Sequence, residues 1–256
     1  MDLSTLMLLC VFAFTAGLVD AIAGGGGLIQ TPAALVLLPQ YPVATIIATI
    51  KLPSFTGTGL AIGQYIRRVR LHFPTAVLMC ITAFGAAFAG SALLTMVSSR
   101  FMKPVIFFIL AGVAVYTYTK KNFGEHTTKP YSRKKQLWYA FLISLVIGFY
   151  DGFIGPGAGS FLILAFIALL GYDFLHASAN AKLVNMATNS GSIALFLLKG
   201  TILWSVALPM AVCNGLGGII GARLAIAKGN HFIRLFFLCI VTATLLRLAY
   251  DVFVKN

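Results

Sequence analysis

Two stretches decide how this chain is read: GLVDAIAGGGG at residues 17–27 and GFYDGFIGPGA at residues 148–158. Sliding the sequence by 131 residues (148 against 17) aligns them without a gap, matching Gly17 with Gly148, Asp20 with Asp151, Gly24 with Gly155 and Gly26 with Gly157. The same offset carries ATIKL (48–52) onto ANAKL (179–183), so that Lys51 meets Lys182. It also pairs Tyr41 with Tyr172, Met79 with Met210, Gly90 with Gly221 and Phe101 with Phe232. Unrelated helices do not hold Asp and Lys in register over such a span. The sequence therefore predicts two homologous halves, 1–120 and 137–256, joined by a basic linker at 121–136.

Outside these stretches the chain is overwhelmingly apolar. Of its 256 residues 59% are hydrophobic and only 10% charged, with a mean hydropathy of +0.94. A soluble domain carries about 25% charged residues. A hydrocarbon core about 30 Å thick takes about 20 apolar residues per helical crossing, so this composition supplies roughly six to eight crossings and leaves little for a soluble domain. The fold class expected is an all-α polytopic membrane protein. Residues 3–19 followed by Ala21-Ile22-Ala23 imitate a cleavable leader, but Asp2 stands where a basic residue belongs, so this is read as a retained membrane segment. The net charge of +13 sits in short gaps between apolar runs, the pattern of cytoplasmic loops facing anionic lipid, and no coherent basic face for nucleic acid emerges. Cys10, Cys80, Cys213 and Cys239 lie singly in apolar stretches and predict buried thiols, with no metal site or disulfide framework. No cofactor motif and no enzyme motif is present.

Each half reads alike. An apolar run (3–23; 137–154) meets a glycine cluster, and a piece too short to span follows (28–39; 160–170). Three long segments come next: 43–65, 73–97 and 101–119, with counterparts at 174–198, 202–227 and 232–253. Irregular backbone inside a bilayer is tolerated only when buried in protein or lining a cavity, so each half is expected to open with a broken helix or hairpin. A returning hairpin gives three crossings per half and inverted repeats; a crossing one gives four and parallel repeats. Counting basic residues does not choose, since both arrangements place twelve inside and five outside. The short pieces favour inversion.

Ionisable groups in membrane segments are functional candidates, because each costs at least about 2.5–3.5 kcal/mol to insert. Here they are Asp20 with Lys51 and Asp151 with Lys182. One reading is a structural ion pair within each half; the other is that the lysines attract an anion while the aspartates orient the loop or carry a proton. Lys182, Asn185, Asn189 and Ser192 share one helix face, and Lys51, Ser54 and Thr58 repeat that stripe. Interhelical hydrogen bonding explains such a stripe without a ligand, but not a basic residue leading both. The clusters Gly24, Gly25, Gly26, Gly27 and Gly155, Gly157, Gly159, Ser160 precede the short pieces, where bare N–H groups at a helix start favour negative charge. Tight glycine packing is the plainer alternative. Asn214, Gln30 and Gln64 suit a polar path and suit backbone bonding equally.

The segments GLVDAIAGGGGLIQTPAAL, GFYDGFIGPGAGSF and ANAKLVNMATN resemble the two repeat signatures of the sulfite exporter TauE/SafE family, also called the toluene sulfonate uptake permeases, in a subgroup of membrane transporters. The resemblance spans essentially the whole chain. It implies a bacterial or archaeal cytoplasmic-membrane transporter for sulfite, sulfonates or related anions, with the glycine loops and lysine stripes as the path. The expected partners are a small anion, the lipid bilayer and a second copy of the chain in a homodimer. An anion channel, or a membrane assembly partner without transport, is the alternative. Pro53 and Ser54 stand where the second half has Val184 and Asn185, so the halves need not contribute equally.

Overall fold

A computed structural model describes residues 2–69, 72–98 and 132–253. Among these the regular structure is helical: α1 (Leu3–Ala23), α2 (Gly27–Leu37), α3 (Val43–Tyr65), α4 (Phe73–Met96), α5 (Arg133–Phe153), α6 (Ala158–Leu170), α7 (Phe174–Lys199) and α8 (Trp204–Phe253). The expected segment 101–119, and the linker as far as residue 131, lie outside the described residues. The segments expected at 202–227 and 232–253 follow one another within α8, across a non-helical residue, Gly229 (φ 69°, ψ −164°).

Among the described residues, five helices are long and apolar enough to cross a membrane: α1, α3, α4, α5 and the Trp204–Gly229 part of α8. With 26 residues α7 is long enough too, but it is rich in polar side chains. Asn180, Lys182, Asn185, Thr188, Asn189 and Ser192 along it are all buried. Such a helix is stable in a bilayer only when protein surrounds it, and α7 packs against α3, α4 and α6.

At 11 and 13 residues, α2 and α6 reach only about 16 and 20 Å, short of a crossing. They fold back instead. Gln136 Nε2 in the first turn of α5 donates to Tyr172 OH, two residues past α6, at 3.3 Å, which brings the far end of α6 to the start of α5. Leu9 and Ala13 of α1 likewise share an apolar cluster with Ala34 and Leu38 at the far end of α2.

The helices α3 and α7 run antiparallel. Gln64, Arg67 and Arg68 at the end of α3 line a surface cavity with Leu175 at the start of α7 and Arg223 of α8. At the opposite end, Thr49 Oγ1 accepts from Leu203 N, just past α7, at 3.1 Å. The principal packing exchanges the halves: α1 lies mainly on α8, and α5 on α4. Side chains are absent where these backbones meet. A Cβ at Gly17, Gly217 or Gly221 would overlap the facing helix in the first contact, and one at Gly90 or Gly152 in the second, the small-residue packing that membrane helices use in place of a hydrophobic drive.

Candidate functional site

The two glycine turns end α1 and α5, and they touch. Gly24 closes α1 in the left-handed region (φ 75°), its N–H bonded to Asp20 O at 2.8 Å. A Cβ on Gly159 would stand 2.5 Å from Gly24 O, and one on Gly27 3.1 Å from Pro156 Cα. The left-handed turn and the backbone-to-backbone approach both require glycine. Ser160 Oγ donates across to Ala23 O at 3.1 Å, and Tyr150 OH to Pro156 O at 2.5 Å. As α2 and α6 begin, the N–H groups of Gly26, Gly27, Gly157 and Gly159 take no backbone acceptor among the described residues, as helix starts leave them.

The four membrane-embedded charges pair crosswise. Lys51 Nζ lies 2.9 Å from Asp151 Oδ1 and also donates to Asp151 O at 2.7 Å; Lys182 Nζ lies 3.0 Å from Asp20 Oδ2. This corrects the expectation of one pair inside each half. The reason is geometric: the two turns come from opposite halves and meet, so each aspartate faces the middle of the other half's lysine helix. A buried charge left alone costs several kcal/mol, about 3–5 when one partner of a pair is removed, so the crossed pairs bind the halves together. Thr188 Oγ1 hydrogen-bonds to Asp151 Oδ2 and lies 2.8 Å from Asn185 O, and Asn189 Nδ2 donates to Asn185 Oδ1 at 3.1 Å.

A cavity of about 40 Å³ lies between the turns. It is lined by Asp20, Gly24, Gly26, Gly27, Lys51, Ser54, Thr58, Asp151, Gly155, Gly157, Gly159, Asn185 and Asn189 of the expected residues. Three expected residues stand apart from it. Lys182, fully buried, sits behind Asp20; Ser160 is spent on Ala23 O; and Gly25 does not reach the lining. The remaining wall comprises Gln30, Thr31, Asn214 and the apolar Ala16, Ile47, Ile50, Ile154 and Ala158. Thr188 was missed as the partner of Asp151, although its place three residues after Asn185 puts it on the same face. Each water needs about 10–15 Å³ measured in this way, so the space holds a few waters or one compact ion. The wall offers an ammonium, free N–H groups and neutral amides against two carboxylates already in ion pairs. That arrangement can receive an anion if a carboxylate releases its lysine.

The chain is similar in sequence to known proteins along nearly its whole length. Residues 9–248 match the family described as sulfite exporter TauE/SafE. A probable membrane transporter protein, ORF9, of Sinorhizobium is 36% identical over 246 residues, covering 96% of this chain and 93% of its own length. One from Haemophilus influenzae is 36% identical over 228 residues, 89% of this chain and 88% of its own length. The probable membrane transporter protein YfcA of Escherichia coli K12 is 34% identical over 239 residues, 93% of this chain and 87% of its own length. With a family match across nearly its full length and relatives above 30% identity, this multi-pass membrane protein belongs to the sulfite exporter TauE/SafE family.

Proposed function

We propose that this membrane transporter carries a small anion, a sulfur oxyanion or a compact sulfonate or carboxylate, by alternating access about the cavity between its halves. The observation that carries the reading is that cavity, where the Lys51 ammonium and the N–H groups of two opposed helix starts converge. Broken helices meeting at a midplane site are how many secondary transporters hold their substrates. The volume favours the compact end of the substrate range, since an organic tail would need the site to open. Relatives named as membrane transporters support transport itself.

We read the halves as inverted repeats of three crossings each, supported by the antiparallel α3 and α7 and by the returning hairpins. Arg67, Arg68 and Arg223 then share the cytoplasmic end with Arg133–Lys135, as a positive-inside protein requires. Parallel repeats would put Arg223 on the opposite side from Arg67. A homodimer is proposed alongside, and mass photometry in detergent tests it.

The crossed pairing suggests how a proton enters. Protonating Asp151 would cancel its hold on Lys51 and free the ammonium for the anion; protonating Asp20 would loosen its tie to Lys182, which lies buried behind it. Retention of the wild-type pH dependence in a D20N/D151N variant would remove that role. Transport is tested in proteoliposomes on solid-supported membranes with sulfite, sulfate, thiosulfate, a sulfonate and a carboxylate, with and without a proton gradient. Saturable current for one anion, absent from Lys51→Met, is expected. Linear flux indifferent to a counter-gradient would point to a channel. Silence across the panel from folded protein would point to an assembly partner.

A further inference from the structure

Gln30 carries a buried amide whose nitrogen has no partner. Its residue is 2% exposed, and Nε2 is one of only four buried polar side-chain atoms left unsatisfied among the described residues. The other three are the hydroxyls of Ser144, Ser178 and Ser192, none of which lines the cavity; Gln30 does. An orphaned buried donor costs about 1–3 kcal/mol, which a structural amide has no reason to sustain beside an open space.

The partner on its other side explains its direction. Asn214 of α8, 3% exposed and also in the cavity wall, donates Nδ2 to Gln30 Oε1 at 3.0 Å. Its own oxygen is pressed against Gly57 and Gly17, where a Cβ on either residue would overlap it. With its oxygen against the glycines, Asn214 gives its NH2 to Gln30 Oε1, and the Gln30 NH2 is left without a partner. At the 131-residue offset these two positions are Phe161 and Ala83, so nothing equivalent is built on the other side.

We propose that Gln30 is a ligand-contacting donor that takes an acceptor oxygen of the transported oxyanion, and that Asn214 is the positioning residue that fixes its polarity. The proposal rests on the anion-transport reading above. Gln30 adds a directed contact without adding charge, and sites built to satisfy a specific hydrogen-bonding group discriminate strongly against ligands that lack it.

The test uses sulfite flux in proteoliposomes, with sulfite-dependent thermal stabilisation of the purified full-length protein as a second readout. Gln30→Leu removes the donor. Asn214→Leu removes the amide that holds Gln30 Oε1, adds no charge, and leaves the Gln30 amide free to turn. Each is expected to raise KM for sulfite about 10–100-fold with little change in kcat, the range for a hydrogen bond to a charged group. Because both act through one N–H, the Q30L/N214L double variant should be no worse than Q30L alone. Singles that leave KM and stabilisation at wild-type values, or effects that multiply in the double variant, overturn the proposal while transport stands. Wild-type protein that neither moves nor is stabilised by sulfite or the other panel anions overturns the anion-substrate reading, and this one with it.

Discussion

The two crossed ion pairs are built from the same residue types at the same offset, yet they face the cavity differently. In one, Lys51 and Asp151 both line the space, their side chains 5% and 6% exposed, and Thr188 braces the carboxylate. In the other, only Asp20 reaches the wall, 17% exposed, while Lys182 is sealed at 0% behind it. Thr188 has Gly57 as its counterpart, and that glycine makes room for Asn214 rather than bracing an aspartate. One pair brings its cation to the cavity wall and the other keeps it behind the wall. The same residue types recurring at one offset thus occupy unlike places about the cavity.

The sharpest way to break this comparison is to remove each lysine. Lys51→Met should abolish anion flux, at least about 100-fold, given that buried pairs cost about 3–5 kcal/mol to break and the anion loses its charge partner. Lys182→Met should instead lower the folded yield in size-exclusion chromatography, and adding Asp20→Asn should recover it. Equal phenotypes for the two lysines would erase the distinction. The contact between the turns comes next in size. Gly24→Ala and Gly159→Ala should each lose about 1–3 kcal/mol of stability from overpacking, read as earlier thermal unfolding. Gly63 and Gly85, with nothing within 4 Å of an added Cβ, are the controls, where alanine should be neutral or gain about 1 kcal/mol. The smallest effect separates the aspartates. Thr188→Val should weaken the Lys51 side by about 1.5 kcal/mol, visible as altered pH dependence of flux. Gly57→Ala should act through Asn214 and raise KM instead.

Much of this architecture was legible because membrane physics writes it into composition. The bounds of α1, α3 and α7, the two short pieces and the glycine turns follow from apolar run lengths and from residues that break them. The crossed pairing was not legible. The offset equates Asp20 with Asp151 and Lys51 with Lys182, but it does not say which aspartate faces which lysine; that depends on two turns meeting in space. Lys182 looked like a ligand residue because its helix face is the same as that of Lys51, and only burial behind Asp20 separates them. Gln30 and Asn214 were hard to rank for a related reason. Recurrence drew attention to the lysines and glycines, and these two amides have no counterparts at the offset. The signal that located the site concealed its asymmetric part.

The crossed pairs also bear on how the chain is made. Asp20 lies 162 residues before Lys182, and Lys51 lies 100 before Asp151. At about 5–20 residues per second of synthesis, Asp20 waits roughly 8–30 s for its counter-charge and Lys51 roughly 5–20 s for its own. The first half therefore completes its membrane segments while still carrying charges that only the second half can neutralise. Produced as two separate polypeptides, neither half would hold together alone, and co-production should restore both.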